Sequence, residues 1–293
     1  ITVGVIGLLV LVELCRRCVG LPILCIVGAL LIYTFSTGLS LKRVMYTLFY
    51  STSGVLGTPM QTCAKFIVVF IIFGAFLERT GISNFFIDFA TRIAGASAGG
   101  PAKVAVISSA LCGMVSGSSV GNTVTTGSVT IPMMKRTGYK PEFAGAVEAA
   151  ASTGGQIMPP IMGAAAFLMA EYMGITYGEV ALRAILPAVL YFSGIFIAVH
   201  LEAKKLGLRG IDKSTLPIWG NLLKKIYLLL PLVLLVWLVS TNTRSMAYSA
   251  TLAILASIIV SFFNKESRIT PAKILEALEA GGKGVITVAV AWW

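Results

Sequence analysis

Apolar runs dominate the chain, and many of them have lengths that suit a membrane. A bilayer core about 30 Å thick is crossed by roughly 20 apolar residues in a helix, and shorter runs pair as half-helices. Such runs are predicted at 1–14, 19–36, 60–77, 102–115, 120–134, 161–173, 183–200, 226–240 and 246–263. Between them, 44–58 is predicted to lie at the membrane interface, 83–93 to form an amphipathic surface helix, and a last helix to begin near Pro271. The pattern therefore predicts an all-α membrane protein, a polytopic helical bundle.

Two polar segments that contain glycine interrupt the apolar runs, at 116–123 (SGSSVGNT) and at 152–160 (STGGQIMPP). Backbone that leaves a helix at membrane depth must be buried in protein or line a cavity, because an unpaired polar group in hydrocarbon costs several kcal/mol. Pro159 and Pro160 remove two N–H donors and disfavour helix before them. We therefore expect a broken transmembrane helix over 141–173. A plain proline kink is the alternative, but it does not require the neighbouring Ser152, Thr153 and Gln156.

Composition supports the membrane assignment and excludes several functions. The 293 residues are 57% hydrophobic and 12% charged, with a mean hydropathy of +0.90, which is too apolar for an ordinary soluble domain. The net charge of +11 comes from basic residues scattered between apolar runs, so no nucleic-acid partner is expected. One histidine and five dispersed cysteines disfavour zinc or histidine-based catalysis. We expect no enzyme activity and no cofactor. Because both ends lie in apolar runs, we also expect a segment of a longer membrane protein.

The distribution of basic residues predicts the topology. Lysine and arginine concentrate in 15–18, 78–103, 135–141, 200–225 and 264–273, which the positive-inside rule places in the cytoplasm. The region 200–225 is then expected to contact anionic membrane lipids. Lys103 and the pair Lys135 and Arg136 fall on the same side of the membrane. The chain between them, 102–134, is therefore predicted to be a re-entrant helical hairpin with its tip at 116–119.

Neutral oxygen atoms at the two interruptions favour a sodium site. Gly117 and Gly121 let the backbone turn and approach a ligand, and neutral oxygens are offered by Ser116, Ser118, Ser119, Asn122, Thr123, Thr125 and Thr126. Sodium is favoured over calcium because neither interruption contains a carboxylate. Carbonyls of a broken helix that coordinate Na⁺ are typical of secondary transporters. The nearby Glu148 has two open interpretations, a buried structural hydrogen bond and a role near the site.

Seven short motifs carry a family resemblance. They are GAFLE at 74–78, GGPAK at 99–103, SGSSV at 116–120, TIPMMKRTGY at 130–139, FAGAVE at 143–148, STGG at 152–155 and MPP at 158–160. Together they resemble the large membrane subunit of the tripartite ATP-independent periplasmic (TRAP) transporters, and most nearly its fused-permease form. The resemblance is dense from about residue 45 to residue 200.

The resemblance implies Na⁺-coupled symport of a small organic anion, a carboxylate, across the bacterial inner membrane by an elevator mechanism. An extracytoplasmic substrate-binding protein would be its partner, and Na⁺ the coupling ion. The implied organisation is scaffold-like spans at 1–59 and 226–293, a transport-domain half at 60–200 and a cytoplasmic amphipathic segment at 201–225. The implied sodium-binding residues are Ser116, Ser118, Ser119, Asn122, Gly155, Met158 and Pro160. The implied substrate-binding residues, beside the tip, are Ser118, Ser119, Asn122, Thr125 and Gln156.

The resemblance also implies a second, inverted copy of the hairpin and the broken helix in the complete transporter. Its second half repeats the hairpin and the broken helix in inverted orientation, and neither motif recurs after residue 200. The chain is therefore expected to form one half of an inverted-repeat elevator transporter. A divalent-anion/sodium symporter that needs no binding protein, a non-transporting part of such a permease and a channel remain alternatives. An intramembrane protease is disfavoured because Asp88 and Asp212, the two aspartates, lie in predicted surface segments.

Overall fold

The computed structural model describes residues 2–241, 244–264 and 267–291, and every regular element in this part of the chain is helical. Its α-helices are α1 (Thr2–Cys18), α2 (Leu21–Ser36), α3 (Leu41–Met45), α4 (Thr58–Thr62), α5 (Val68–Arg79), α6 (Ile82–Ala94), α7 (Gly100–Ser116), α8 (Ser119–Arg136), α9 (Pro141–Gly154), α10 (Ala165–Met173), α11 (Tyr177–Lys205), α12 (Trp219–Lys224), α13 (Leu230–Ser240), α14 (Met246–Ser261) and α15 (Pro271–Ala291). The predicted segments also include residues 1, 242, 243, 265, 266, 292 and 293, which lie outside the described residues.

Two helices in the described ranges are long and apolar enough to cross a membrane. One is continuous from Thr58 to Arg79, where a π-helical turn joins α4 to α5, and the other is α11. The stretches Lys213–Lys224 and Ile226–Ser240 meet at 64° and would be a third span if they act as one. The apolar helices α2, α7 and α14 have 16 or 17 residues. They are shorter than the roughly 20 residues that a straight crossing requires.

The apolar core lies around α5. Phe70, Phe73 and Leu77 of this helix are fully buried and belong to a cluster that also contains residues of α6, α7, α10, α11, α13 and α14. The ring of Phe167 packs edge-on against Phe70, with centroids 4.9 Å apart, and stacks on Tyr177 at 4.4 Å. A second cluster joins α7, α8, α9 and α11, and half of its buried residues are alanines, which allow close helix packing. These two clusters hold the hairpin against the broken helix.

The segment predicted as a surface helix at 83–93 is α6, and one of its faces is buried. Phe85, Phe86 and Ala90 pack inward, and α6 lies along α7. The predicted interfacial stretch 44–58 contains α3, a π-helix over Tyr46–Tyr50 and turns. The helix predicted at 83–93 is therefore present, but one face of it belongs to the core of the protein and does not lie at the surface.

Helices α7 and α8 form a hairpin that is tighter than the sequence suggests. Only Gly117 and Ser118 leave the helical conformation between them, whereas the predicted tip covered 116–119. The reason is an N-cap: Ser118 is extended, and its hydroxyl accepts a hydrogen bond from Gly121 N at 3.2 Å. Asn122 and Thr123 are therefore helical, and they present side chains rather than free backbone carbonyls.

The predicted break in the second segment is present. Helix α9 ends at Gly154, a 3₁₀ turn continues to Ile157, and residues 158–164 are irregular before α10 begins. The Pro159–Pro160 peptide bond is cis. Helix resumes at Ala165 rather than at residue 161 as predicted. The irregular stretch therefore extends beyond the prolines and lies opposite the hairpin tip.

Candidate functional site

The hairpin tip presses directly against the broken helix. Gly117 ends α7 in the left-handed region at φ 59°, where its N–H bonds to Gly113 O at 3.1 Å. A Cβ atom at Gly117 would overlap the carbonyl oxygen of Met162, which also has a positive φ of 54°. A side chain at residue 117 would therefore meet both backbone strain and a steric clash.

A second close approach lies one turn before the tip. Gly113 of α7 and Gly155 of the 3₁₀ turn touch through their backbones, and a Cβ atom at Gly155 would lie 2.7 Å from the Cα of Gly113. The amide nitrogen of Asn122 would be 3.3 Å from a Cβ atom placed on either glycine. The two glycines thus let the arm, the break and the Asn122 side chain meet at one point.

Asn122 carries an unpartnered oxygen at the point where Gly113 of α7 meets Gly155 of the broken helix, which we call the crossing. The residue is 1% exposed, and its Nδ2 donates to Ser109 O at 2.8 Å. Its Oδ1 has no hydrogen-bond partner among the described residues. Exchanging the amide atoms would place an oxygen against a carbonyl, so the hydrogen bond fixes the assignment. A buried oxygen without a donor is costly unless a ligand completes it, and a cation is a suitable ligand for it.

The ends of α7 and α9 favour a positive charge at the crossing, and the start of α8 favours a negative charge beside the hairpin tip. Helix α7 ends at Ser116 and α9 at Gly154, so two C-terminal ends, each with partial negative charge, meet near Gly155. Helix α8 begins at Ser119, and its N-terminal end carries partial positive charge. The crossing therefore favours a cation, while the outer side of the tip favours an anion.

Tyr177 supports the irregular stretch from α11. Its hydroxyl lies 2.8 Å from Pro160 O and is also within hydrogen-bond distance of Ile161 O. A hydroxyl has one proton, so it donates to one carbonyl at a time, and a carbonyl has two lone pairs. Pro160 O thus keeps acceptor capacity for a ligand. No local sequence signal points to this tyrosine, because 17 residues separate it from Pro160.

The remaining predicted residues divide into separate groups. Gln156 Nε2 donates to Ser119 Oγ at 3.1 Å on the exposed side of the tip. The hydroxyl of Ser116 is turned to Ser118 O at 3.4 Å, and that of Thr125 bonds to Gly121 O within its own helix. Met158 lies in the turn that follows Ile157. The structure thus brings Asn122 to Gly155 and Ser119 to Gln156, while no described hydrogen bond links Thr125 to either pair.

A cavity of about 370 Å³ lies beside the tip. The tip contributes Ser116, Gly117, Ser118 and Gly121, the break contributes Met162, and α15 contributes Thr287. This volume lies within the range of small-molecule sites. No local sequence signal connects α15 with the site, because more than 160 residues separate Thr287 from the tip.

A buried carboxylate lies behind the crossing. Glu148 of α9 is 0% exposed, and its Oε1 accepts from Ser109 Oγ at 2.8 Å and from Ser152 Oγ at 3.1 Å. The hydroxyls of Thr126 and Thr130 also bond to this carboxylate. No salt bridge to Glu148 occurs within the described ranges. Of the two interpretations left open by the sequence, a buried hydrogen-bonded position is the one observed directly.

Comparison with known families identifies the class of protein. Residues 6–292 match the family described as the tripartite ATP-independent periplasmic transporter, DctM component. The chain belongs to this family. The resemblance to TRAP large permeases is therefore confirmed over nearly its whole length, including the regions that the motifs left unassigned.

Individual TRAP permeases are similar to the chain at modest identity. The C4-dicarboxylate TRAP transporter large permease protein DctM of Vibrio cholerae is 27% identical over 224 residues, which cover 75% of the chain and 46% of that protein. The sialic acid TRAP transporter large permease protein SiaM of the same organism is 24% identical, with 83% and 55% covered. The isethionate TRAP transporter permease protein DctMQ of Oleidesulfovibrio alaskensis is 28% identical over 48% of the chain and 22% of that protein.

The chain spans about half the length of the first two of these TRAP permeases. All three relatives are named permeases, so the prediction that the chain is not an enzyme is confirmed. Family membership and the apolar helices together establish a helical membrane protein.

Proposed function

We propose that residues 60–200 form one half of the transport domain of a TRAP permease, which carries a small organic anion with Na⁺ across the bacterial inner membrane. The observation that carries this proposal is the unpartnered Oδ1 of Asn122 at the crossing of the hairpin and the broken helix. Transport would proceed by an elevator motion, with an extracytoplasmic binding protein delivering the substrate. The hairpin would enter the membrane from the cytoplasmic side as a re-entrant element.

The cation assignment rests on the donor set at the crossing. Asn122 Oδ1, the carbonyls near Gly155 and Pro160 O are neutral oxygens near two helix C-termini. Neutral oxygens suit a monovalent hard cation, whereas Ca²⁺ usually takes several carboxylates. In this proposal Ser116, Ser118, Ser119 and Met158 complete the site mainly through backbone oxygens.

The anion assignment rests on the outer side of the tip. The N-terminal end of α8, the Ser119 hydroxyl and the Gln156 amide lie together there, and all of them can contribute to binding an anionic group. The relatives are named for C4-dicarboxylate, sialic acid and isethionate, each of which carries a carboxylate or a sulfonate. A small organic acid bound at Ser118, Ser119 and Gln156 therefore fits both the site and the family.

Uptake by the complete permease that contains this chain tests the proposal. The purified permease is reconstituted in liposomes, and radiolabelled succinate, sialic acid and isethionate are offered with their binding proteins under an inward Na⁺ gradient. We expect uptake of at least one anion that stops when K⁺ replaces Na⁺. Equal uptake in Na⁺ and K⁺ would refute sodium coupling. Sodium-driven uptake without a binding protein would favour the divalent-anion/sodium symporter instead.

A further inference from the structure

Glu148 is connected to Asn122 through two short paths. Ser109 donates its hydroxyl to Glu148 at 2.8 Å and accepts the Asn122 amide on its backbone oxygen, also at 2.8 Å. Thr126 contacts Glu148 with the hydroxyl that also lies 2.8 Å from Asn122 O. The side-chain amide of Asn122 is therefore held by the backbone of a residue whose hydroxyl bonds to Glu148, and its backbone oxygen lies next to a second hydroxyl that contacts the same carboxylate.

The hydrogen-bond donors around Glu148 suit an ionised carboxylate, and no salt bridge to it is found in the described part of the chain. An ionised carboxylate only accepts hydrogen bonds, and the four groups that contact it are hydroxyls that can donate. They come from α7, α8 and α9, and a Cβ atom at Gly127 would lie 3.0 Å from Glu148 Cγ. Such a tightly enclosed charge is costly unless an opposite charge lies nearby.

The oxygen atoms that would bind a cation at the crossing are all neutral, and one of them, Asn122 Oδ1, has no hydrogen-bond partner among the described residues. A negative charge for that cation must therefore come from a neighbouring residue such as Glu148. We propose that Glu148 is the counter-charge of the cation bound at Asn122 and the positioning residue that keeps Oδ1 turned toward that cation. This inference rests on the proposed sodium site and adds to it a negative charge that the hydroxyls of Ser109 and Thr126 connect to the ligand. Bound Na⁺ and Glu148 would thus neutralise each other inside the protein.

The variant Glu148→Gln tests the charge while preserving the hydrogen bonds. The glutamine amide can donate to the Thr130 hydroxyl, whose own proton then goes to Thr126 O at 3.0 Å, so the packing is retained. Glu142→Gln is the matched control, because it removes the same charge from an exposed position of α9. The measurement is Na⁺ affinity of the complete permease, obtained from ²²Na⁺ binding and from the rise in melting temperature with NaCl against KCl.

We expect Glu148→Gln to weaken Na⁺ binding about tenfold or more, as removal of a nearby charge in a medium of low dielectric constant requires. Its melting temperature without Na⁺ should be equal to or higher than that of the parent, because the enclosed charge is then unpaired, and Glu142→Gln should leave the Na⁺ affinity unchanged. Glu148→Asp keeps the negative charge on the same residue, and we expect it to bind Na⁺ more tightly than Glu148→Gln. Equal Na⁺ affinity of these two variants would indicate a purely structural Glu148.

The outcomes separate this inference from the proposed function. A parent permease that does not bind Na⁺ in preference to K⁺ would refute the sodium site itself. A parent that binds Na⁺, together with a Glu148→Gln variant of equal affinity, would overturn the role of Glu148 and leave the site intact. If Glu148→Gln does not fold, Ser109→Ala removes the connecting hydroxyl but keeps the backbone oxygen that holds Asn122. Unchanged Na⁺ affinity in that variant would also overturn the inference.

Discussion

Gly155→Ala changes the point at which the hairpin and the broken helix touch. The new methyl group would lie 2.7 Å from the Cα of Gly113, so the two backbones must separate by roughly 0.7 Å to reach ordinary contact. Overpacking of this kind costs about 1–3 kcal/mol, while alanine recovers at most about 1 kcal/mol of helix propensity. Gly145→Ala is the control, because no atom lies within 4 Å of a Cβ atom at that α9 position. An alanine at residue 145 gains helix propensity and overlaps no neighbouring atom.

Thermal unfolding of the complete permease with and without Na⁺ measures two effects of Gly155→Ala, the loss of stability and the weaker binding of Na⁺. We expect its melting temperature to lie about 1 °C or more below that of Gly145→Ala, since each kcal/mol shifts a domain of 150–250 residues by about 2–4 °C and a longer chain by less. Separation of the backbones also displaces Asn122, and a tenfold weaker Na⁺ site loses about 1.4 kcal/mol of ligand stabilisation. If Gly155→Ala were as stable as Gly145→Ala and had an unchanged Na⁺ midpoint, the close contact would not define the site.

Two further variants test the support and the outer side of the site. Tyr177→Phe keeps the stack on the neighbouring phenylalanine but removes the hydroxyl, so we expect about 1 kcal/mol less stability and weaker Na⁺ binding. Calorimetry measures the stability and ²²Na⁺ binding the affinity. The control Tyr172→Phe, at an exposed position of α10, should change neither quantity. Ser118→Ala with Ser119→Ala removes the α8 cap, at a cost of about 1 kcal/mol, and should weaken Na⁺ or substrate dependence in uptake assays while the protein stays folded. Ser128→Ala, on the exposed side of α8, is its control, and equal uptake by both would refute the tip assignment.

Local sequence signals predicted the helices and the position of both interruptions well. Apolar length indicated the helix from Thr58 to Arg79 and α11, and the Gly-Gly and Pro-Pro pairs located the second break. The first interruption was overestimated because a serine can either disrupt a helix or cap one, and Ser118 does the latter. Local composition cannot distinguish these two cases, because the choice depends on the direction in which the chain leaves the turn.

The chemistry of the site depended on contacts that are distant in sequence. Asn122 was predicted as a ligand, but its unpartnered oxygen follows from Ser109, on the other arm of the hairpin. Glu148 lies 39 residues from Ser109, and no spacing rule connects an acid on α9 with a hydroxyl on α7. The hairpin fold brings them together because alanines and glycines allow α7, α8 and α9 to pack closely. Sequence patterns thus identified ligand types, and packing determined which of them meet.

Coupling of the two proposed ligands follows from the rigidity of α8. The cation would bind at Asn122, which lies three residues, less than one helical turn, after Ser119, the residue that starts the helix. A cation that ties Asn122 to the break therefore also fixes the direction of the free N–H groups at the start of α8, where the anion would bind. Thermodynamic linkage requires the effect to be reciprocal, so the anion must raise Na⁺ affinity by the same factor. The first turn of α8, shared by both ligands, is sufficient to couple their binding, without a longer pathway between the two sites.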